Sequence, residues 1–181
     1  MDTKPDIAAT YRLKKESNSR STKANLVVHS VSVKQVDRVY QEAKAHQFTV
    51  RSDEHPEPWG GGDRAPSPFQ YLLLSLGFSL NNQVFIQSEV HGVRLDSLET
   101  VVEGSFDAKG FYGVPGHTPR VDMVSLEVKV TSHASRVKVL RVLAEAEKCC
   151  PVYQTLKKSA RITTRLVLST PGAEDREGGV A

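Results

Sequence analysis

A serine, a proline and a long apolar run starting at Ser67 constrain this chain more than any other stretch. Ser67 suits a helix N-cap, Pro68 fits the first helical position, and Gln70 completes a capping box. Phe69, Leu72, Leu73, Leu76, Leu80 and Val84 follow at helical spacing, so one face is buried over about five turns. Leu74, Phe78 and Phe85 extend the apolar surface beyond that stripe. A helix apolar on more than one face is enclosed on several sides, as in a dimer core. The spacing predicts a helix from Pro68 to about Val90, with His91-Gly92 as its stop.

Around this helix the hydrophobic period changes several times. Leu26 to Val33 alternates, with Val27, His29, Val31 and Val33 on one face, and reads as a strand. Residues 35–46 fit a turn or a short helix, and Phe48 and Val50 mark a short strand before the turn-rich DEHPEPWGGGDRAPSP. Leu95 to Gly104 and Met123 to Thr131 read as strands, separated by the loop KGFYGVPGHTPR. In the second of them Val124, Leu126, Val128 and Val130 alternate with polar residues, which suits a sheet with one wet face. A second helix starts near Ser132 or Ser135 and buries Val139, Val142, Leu143, Ala146 and Cys150. Pro151 interrupts it. A short helix through Lys158 and a strand from Arg161 to Ser169 follow. The order predicts an α+β domain over residues 25–170, its helices on one side of a mostly antiparallel sheet. Residues 1–24 read as a poorly ordered basic leader and residues 171–181 as a disordered tail.

Composition narrows the function. Hydrophobic residues make up 39% and charged residues 25% of the chain, as in a soluble globular protein. No apolar run approaches the roughly 20 residues of a membrane span, and the N-terminus has no secretory apolar core, so a cytoplasmic location is the default expectation. The net charge of +3 is partly local: Arg12, Lys14, Lys15, Arg20 and Lys23 face only Glu16. A nucleic-acid arm has this pattern. A solvated leader has it too, and is the preferred reading because aromatics barely accompany the charge. Two adjacent cysteines exclude a disulfide framework and suit a reducing compartment. The six histidines are scattered with no pair at ligand spacing, so no metal is expected. The glycines of Trp59-Gly60-Gly61-Gly62-Asp63-Arg64 match neither a phosphate loop nor a dinucleotide turn. They read as a tight loop feeding a capped helix, and no cofactor is called for.

Reactive chemistry centres on Cys149-Cys150-Pro151. If Pro151 opens a new helix, Cys150 is its N-cap, where unpaired amides favour a thiolate, and Lys148 acts in the same direction. The competing and preferred reading is a small hydrophobe closing a buried stripe. The pair is not expected to bond to itself, since adjacent cysteines do so only with strained peptide geometry.

Two segments together resemble the OsmC/Ohr superfamily. FTVRSDEHPEPWGGGDRAPSPFQYLLLSLGFSL is similar to its pattern of strand, GG-x-D loop, P-x-P turn and Leu-rich helix. EAEKCCPVYQTL, some 70 residues later, is similar to the ending of its second helix, where a cysteine precedes proline. The resemblance spans about residues 25–170 and implies an intertwined homodimer with the long helices at its centre. It also implies thiol-dependent reduction of organic hydroperoxides, a peroxiredoxin-type defence against oxidative stress. In that chemistry one cysteine attacks the peroxide oxygen as thiolate, and a second resolves the sulfenic acid as a disulfide. A glutamate and an arginine hold the thiolate and orient the substrate. Carried onto this chain, the second cysteine is Cys150, the first falls on Ser79, and the glutamate falls on Gln70 or, in other branches, Phe69. The arginine has only Arg38 and Arg51 as loose candidates.

Both replacements remove the same chemistry. An alcohol is un-ionised at neutral pH and lacks the sulfenic-acid rung that makes the cycle reversible. Gln70 carries no charge to pair with arginine. Structural roles for both are preferred to a new catalytic role: Ser79 bonding the Ser75 carbonyl within its helix, and Gln70 completing the capping box. Three hypotheses follow, in order. The first is a dimer without peroxidase activity that binds a small apolar, carbonyl-bearing or hydroperoxide ligand near Ser79. The second is a one-cysteine peroxidase using Cys150, with Cys149 as the neighbouring thiol. The third is a nucleic-acid-associated protein using the basic leader.

Overall fold

The computed structural model describes residues 6–171, so the expected disordered tail lies outside the described residues except for Pro171. The leader departs from expectation. Ile7–Ser19 form a helix, α1, although no residue in it is fully buried. Distant parts of the chain hold it, which composition does not reveal. Tyr11 Oη accepts a hydrogen bond from Gln87 Nε2 at 3.1 Å and lies 3.8 Å from Cys149 Sγ. Arg12 Nη2 donates to the Val90 carbonyl at 3.0 Å, one of the carbonyls a helix end leaves unpaired.

The described chain forms two compact units, one of residues 17–75 and one joining 6–16 to 76–171. The first contains an antiparallel meander of β1 (Ser32–Asp37), β2 (Tyr40–Ala45) and β3 (Phe48–Ser52). Residues 35–46 are therefore strand, turn and strand. Their turns use Arg38 and His46 at φ 52° and 55°, left-handed positions that glycine would have announced in the sequence. The strand expected from Leu26 begins only at Ser32. Leu26, Val27, Val28 and Val31 lie outside any ladder and are at least 66% exposed.

The turn-rich loop holds a short helical turn, α2 (Pro56–Trp59), and wraps around one buried carboxylate. Asp53 Oδ1 accepts the Glu54 amide at 3.0 Å, and Oδ2 accepts those of Gly62 (3.1 Å) and Arg64 (3.2 Å). Arg64 Nε donates to Oδ2 at 2.8 Å. The Arg64 guanidinium, more than any other group, holds the Asp53 carboxyl at a pKa of about 2. Arg64 also stacks over the Tyr40 ring, 4.1 Å from its centre. A Cβ on Gly61 would lie 1.8 Å from the Glu54 carbonyl oxygen, so the clasp closes only with glycine there. The tight-loop reading of the glycines holds, with Asp53 as its organising anion.

Helix α3 (Pro68–Val90) starts and stops where its sequence signals place it. Gln70 Oε1 accepts from the Ser67 amide at 2.8 Å, and the Gln70 amide donates to Ser67 Oγ at 3.3 Å, which is the capping box. After it Gly92 takes the left-handed conformation at φ 63°. The second unit then contains β4 (Ser97–Phe106), the short α4 (Ala108–Phe111), β5 (Val121–Thr131), α5 (Arg136–Cys149), α6 (Pro151–Lys157) and β6 (Arg161–Ser169). Its sheet has the order β4-β5-β6. The fold is thus α+β, but with two three-stranded sheets where one was expected. β6 runs parallel to β5 because the α5–α6 crossover returns the chain in the same direction.

The core sits on the inner face of this second sheet. Val124, Leu126, Val128 and Val130 are at most 2% exposed, as are Leu76, Leu80 and Val84 of α3 and Val139, Val142 and Ala146 of α5. Each buried leucine contributes about 1.5–3 kcal/mol. A Cβ on Gly77 would sit 3.3 Å from Val102, so glycine lets α3 approach β4 closely. Thr100 Oγ1 donates to Asn81 Oδ1 at 2.6 Å across the same contact.

Candidate functional site

Helix α3 and the α5–α6 junction each deliver one polar atom to a single point. Pro151 cannot continue α5, so the chain breaks at Cys150, which leaves helical geometry (φ −79°, ψ 113°) and becomes the N-cap of α6. Its side chain is 0% exposed. The Cys150 thiol donates to Ser79 Oγ at 3.1 Å, and Cys150 Sγ accepts the Tyr153 amide at 3.4 Å. Cys150 thus closes the buried stripe and caps the next helix.

Ser79 turns to Cys150 instead of to the Ser75 carbonyl, which corrects the within-helix bond expected of it. Other serines of α3 do bond back along the helix, Ser75 to Leu72 and Ser88 to Phe85. Ser79 differs because a thiol from another element reaches it.

The remaining predicted positions lie elsewhere. Gln70 is exposed and engaged in the capping box, about two and a half turns before Ser79 and so on the opposite face of α3. Phe69 is half-buried in the first turn. Arg51 Nε pairs with Glu42 Oε1 at 3.1 Å on the surface, and its hydrogen bond to Glu42 raises its pKa. Arg38 occupies the β1–β2 turn. Cys149 is exposed, with its sulfur beside the Tyr11 hydroxyl. Gln87 pulls the Tyr11 pKa down, but burial and the neighbouring thiol outweigh it and the net direction is up, so Tyr11 stays a neutral phenol. Burial, followed by Glu147, raises that of Tyr153 as well.

Sequence reasoning assigned no role to four residues that the structure distinguishes. Tyr11 carried no signal inside a basic leader. Arg64 and Asp53 gave only the hint of a GG-x-D loop. Gln83 looked like an ordinary polar position of a helix, yet its Oε1 is buried without a hydrogen-bond partner among the described residues. No cluster of three or more metal-ligating side chains occurs among those residues, and no helix there is long and apolar enough to cross a membrane.

As chemistry, the centre is a buried thiol hydrogen-bonded to an alcohol. A second sulfur in place of Ser79 Oγ would have to move about 1 Å closer to form a disulfide. The hydroxyl itself forms no such bond.

Comparison with known proteins agrees with this architecture. The sequence pattern of the family described as OsmC-like protein matches residues 60–165. No curated protein sequence matches the chain. Among solved structures, an OsmC-like protein from Mycoplasma pneumoniae superposes with a TM-score of 0.70 at 16% identity, covering 79% of this chain and 98% of that one. An organic hydroperoxide resistance protein OsmC from Legionella pneumophila gives 0.60 at 14% identity, covering 80% and 99%. The organic hydroperoxide resistance protein OhrB of Bacillus subtilis gives 0.57 at 13%, covering 77% and 98%. At these identities the likeness is one of fold.

Proposed function

The chain belongs to the OsmC-like protein family, and on that premise we propose that it is a homodimeric, ligand-binding member without the two-cysteine peroxidase cycle. One observation carries the reading: the partner facing the Cys150 thiol is the oxygen of Ser79, 3.1 Å away. Reduction of a hydroperoxide transfers its terminal oxygen to an atom that is itself oxidised, and a serine hydroxyl offers no such rung. The relatives named for organic hydroperoxide resistance indicate the class of molecule that the scaffold accommodates. Here a small apolar molecule with a polar end is retained near Ser79 and released unchanged.

Two unpaired apolar surfaces support the dimer. Phe78 and Phe85 on α3 are 65% and 45% exposed, and Leu74 is exposed too, the surplus apolar residues that made α3 read as enclosed on several sides. Among the described residues the alternating Leu26–Val31 segment has no strand partner of its own. A second copy of the chain covers both.

The test is consumption of cumene hydroperoxide with dihydrolipoamide as reductant. The unmodified chain is expected to be silent. Turnover that disappears in Cys150→Ser would overturn the reading in favour of a one-cysteine peroxidase. The complete burial of Cys150 and its two hydrogen bonds argue against that alternative.

A further inference from the structure

The outward side of α5 carries charge without counter-charge. From Ser132 to Ala144 the chain holds Arg136, Lys138 and Arg141 and no acid. All three are exposed, and among the described residues none makes an ion pair or hydrogen bond through its side chain. On the sheet of the same unit, by contrast, Lys129 and Arg165 each find a carboxylate, at 3.5 and 3.3 Å. The placement is also unfavourable for the helix itself. Arg136 and Lys138 stand in its first turn, where the macrodipole is already positive and acids are preferred, and Ser135 caps no amide with its side chain. Between the cations lie Val137 and Leu140, 77% and 41% exposed. Val139, Val142, Leu143 and Ala146 are the residues α5 buries, so this surface faces away from the core.

The end of the described chain lies beside the start of α5. The Ser132 amide donates to the Ser169 carbonyl at 2.9 Å, which ties the last residue of β6 to the segment leading into the helix. Residues 172–181, outside the described residues, add Glu174, Asp175 and Glu177 against Arg176. Residues 1–5, also outside them, hold Asp2 and Lys4 and so have no acidic excess. Counted from Pro171, Glu174 and Glu177 reach up to about 10 and 20 Å. The helix from Arg136 to Arg141 spans only about 7.5 Å.

We propose that the acidic segment 172–181 covers the basic side of α5, with Glu174, Asp175 and Glu177 pairing with Arg136, Lys138 and Arg141 of the same chain. The inference stands apart from the ligand reading above. Attachment at Ser169 holds these acids at high local concentration, an advantage that no free acidic molecule has. The contact is one of exposed charges, so it is strongest at low ionic strength and is screened by salt. Any acidic partner of this helix face then has to displace the segment first.

The test places a nitroxide on Gly178→Cys in a Cys149→Ser background, Cys150 being buried and left as it is. It reads the amide signals of the full, isotope-labelled chain. At about 0.01 M salt, where the screening length is about 30 Å, signals of residues 136–141 are expected to fall about twofold or more relative to the reduced label. At about 1 M salt, with a length of about 3 Å, they are expected to recover. Glu174→Gln, Asp175→Asn and Glu177→Gln together should restore them at low salt as well. Arg136→Gln with Lys138→Gln and Arg141→Gln should do the same, circular dichroism confirming the fold. Equal intensities at both salt concentrations overturn the proposal, as does a loss that survives removal of the three acids, because tethering alone does not depend on charge. So does a loss seen only when the isotope-labelled chain is mixed with a separate spin-labelled one, which assigns the acids to a second copy.

Discussion

Replacing Ser79 by cysteine should install the missing sulfur and let it close on Cys150. The present Oγ···Sγ separation is 3.1 Å, and a disulfide needs about 2.05 Å, a gap that small side-chain rotations span. The bond would close a loop across a sequence separation of 71 residues. Loop-closure entropy for that length is worth about 4 kcal/mol at 25 °C in the chain-entropy model. Moving Cys150 Sγ towards residue 79 weakens its hydrogen bond from the Tyr153 amide, and engineered bridges commonly give less than the entropic figure. About 2 kcal/mol is the expected net gain, or roughly 4–8 °C in Tm for a chain of this size. The substitution belongs in a Cys149→Ser background, so that the exposed thiol cannot compete. After mild oxidation with diamide, thiol titration should find no free thiols, and the gain in Tm should vanish with reductant. Two free thiols after oxidation, or a Tm indifferent to reductant, would refute the claim that Ser79 and Cys150 are poised as a pair. If the pair forms, hydroperoxide turnover with a dithiol reductant should appear in Ser79→Cys alone.

Other parts of the molecule make separate predictions. The folded Asp53 carboxyl has a pKa of about 2, below its value near 3.9 in an unfolded chain. Its stabilisation is therefore fully present above about pH 4 and is lost as the pH falls towards 2. Asp53→Asn should flatten that part of an acid-unfolding curve followed by circular dichroism, and an unchanged curve would remove Arg64–Asp53 as its cause. Gly61→Ala places a Cβ against the Glu54 carbonyl and should cost more than about 2 kcal/mol in urea unfolding; a neutral result would contradict the clasp. Tyr11→Phe removes the hydroxyl shared with Gln87 and Cys149. It should cost about 1 kcal/mol and reduce hydrogen-exchange protection of α1, whereas undiminished protection would mean that α1 is held by other contacts. Phe78→Glu combined with Phe85→Glu should turn a dimer into a monomer in light scattering; a dimer that survives would move the interface off this face of α3.

The sequence alone determined the parts of this protein whose information is local. Ser67, Pro68 and Gln70 announced the start of α3 and Gly92 its end, because capping groups and a left-handed stop act within one turn. For α5 the start was left between Ser132 and Ser135, while the apolar stripe from Val139 to Ala146 gave its buried face and Pro151 its end. β6 was legible at both ends, and the alternation in β5 gave its buried face. Tertiary structure decided what depends on segments distant in the chain. Helix α1 exists through Tyr11 and Arg12 reaching residues near positions 87, 90 and 149, none of which its own propensities encode. The turns at Arg38 and His46 adopt left-handed geometry without glycine, so composition hid two strands. Asp53 looked like a loop acid until the backbone amides of Gly62 and Arg64 folded onto it. Ser79 could be aligned with a lost nucleophile on its motif, but its bond to Cys150 and the unpaired oxygen of Gln83 are facts of packing between helices. A hydrogen-bond partner is chosen in three dimensions, and one sequence records only the donors and acceptors that could be chosen.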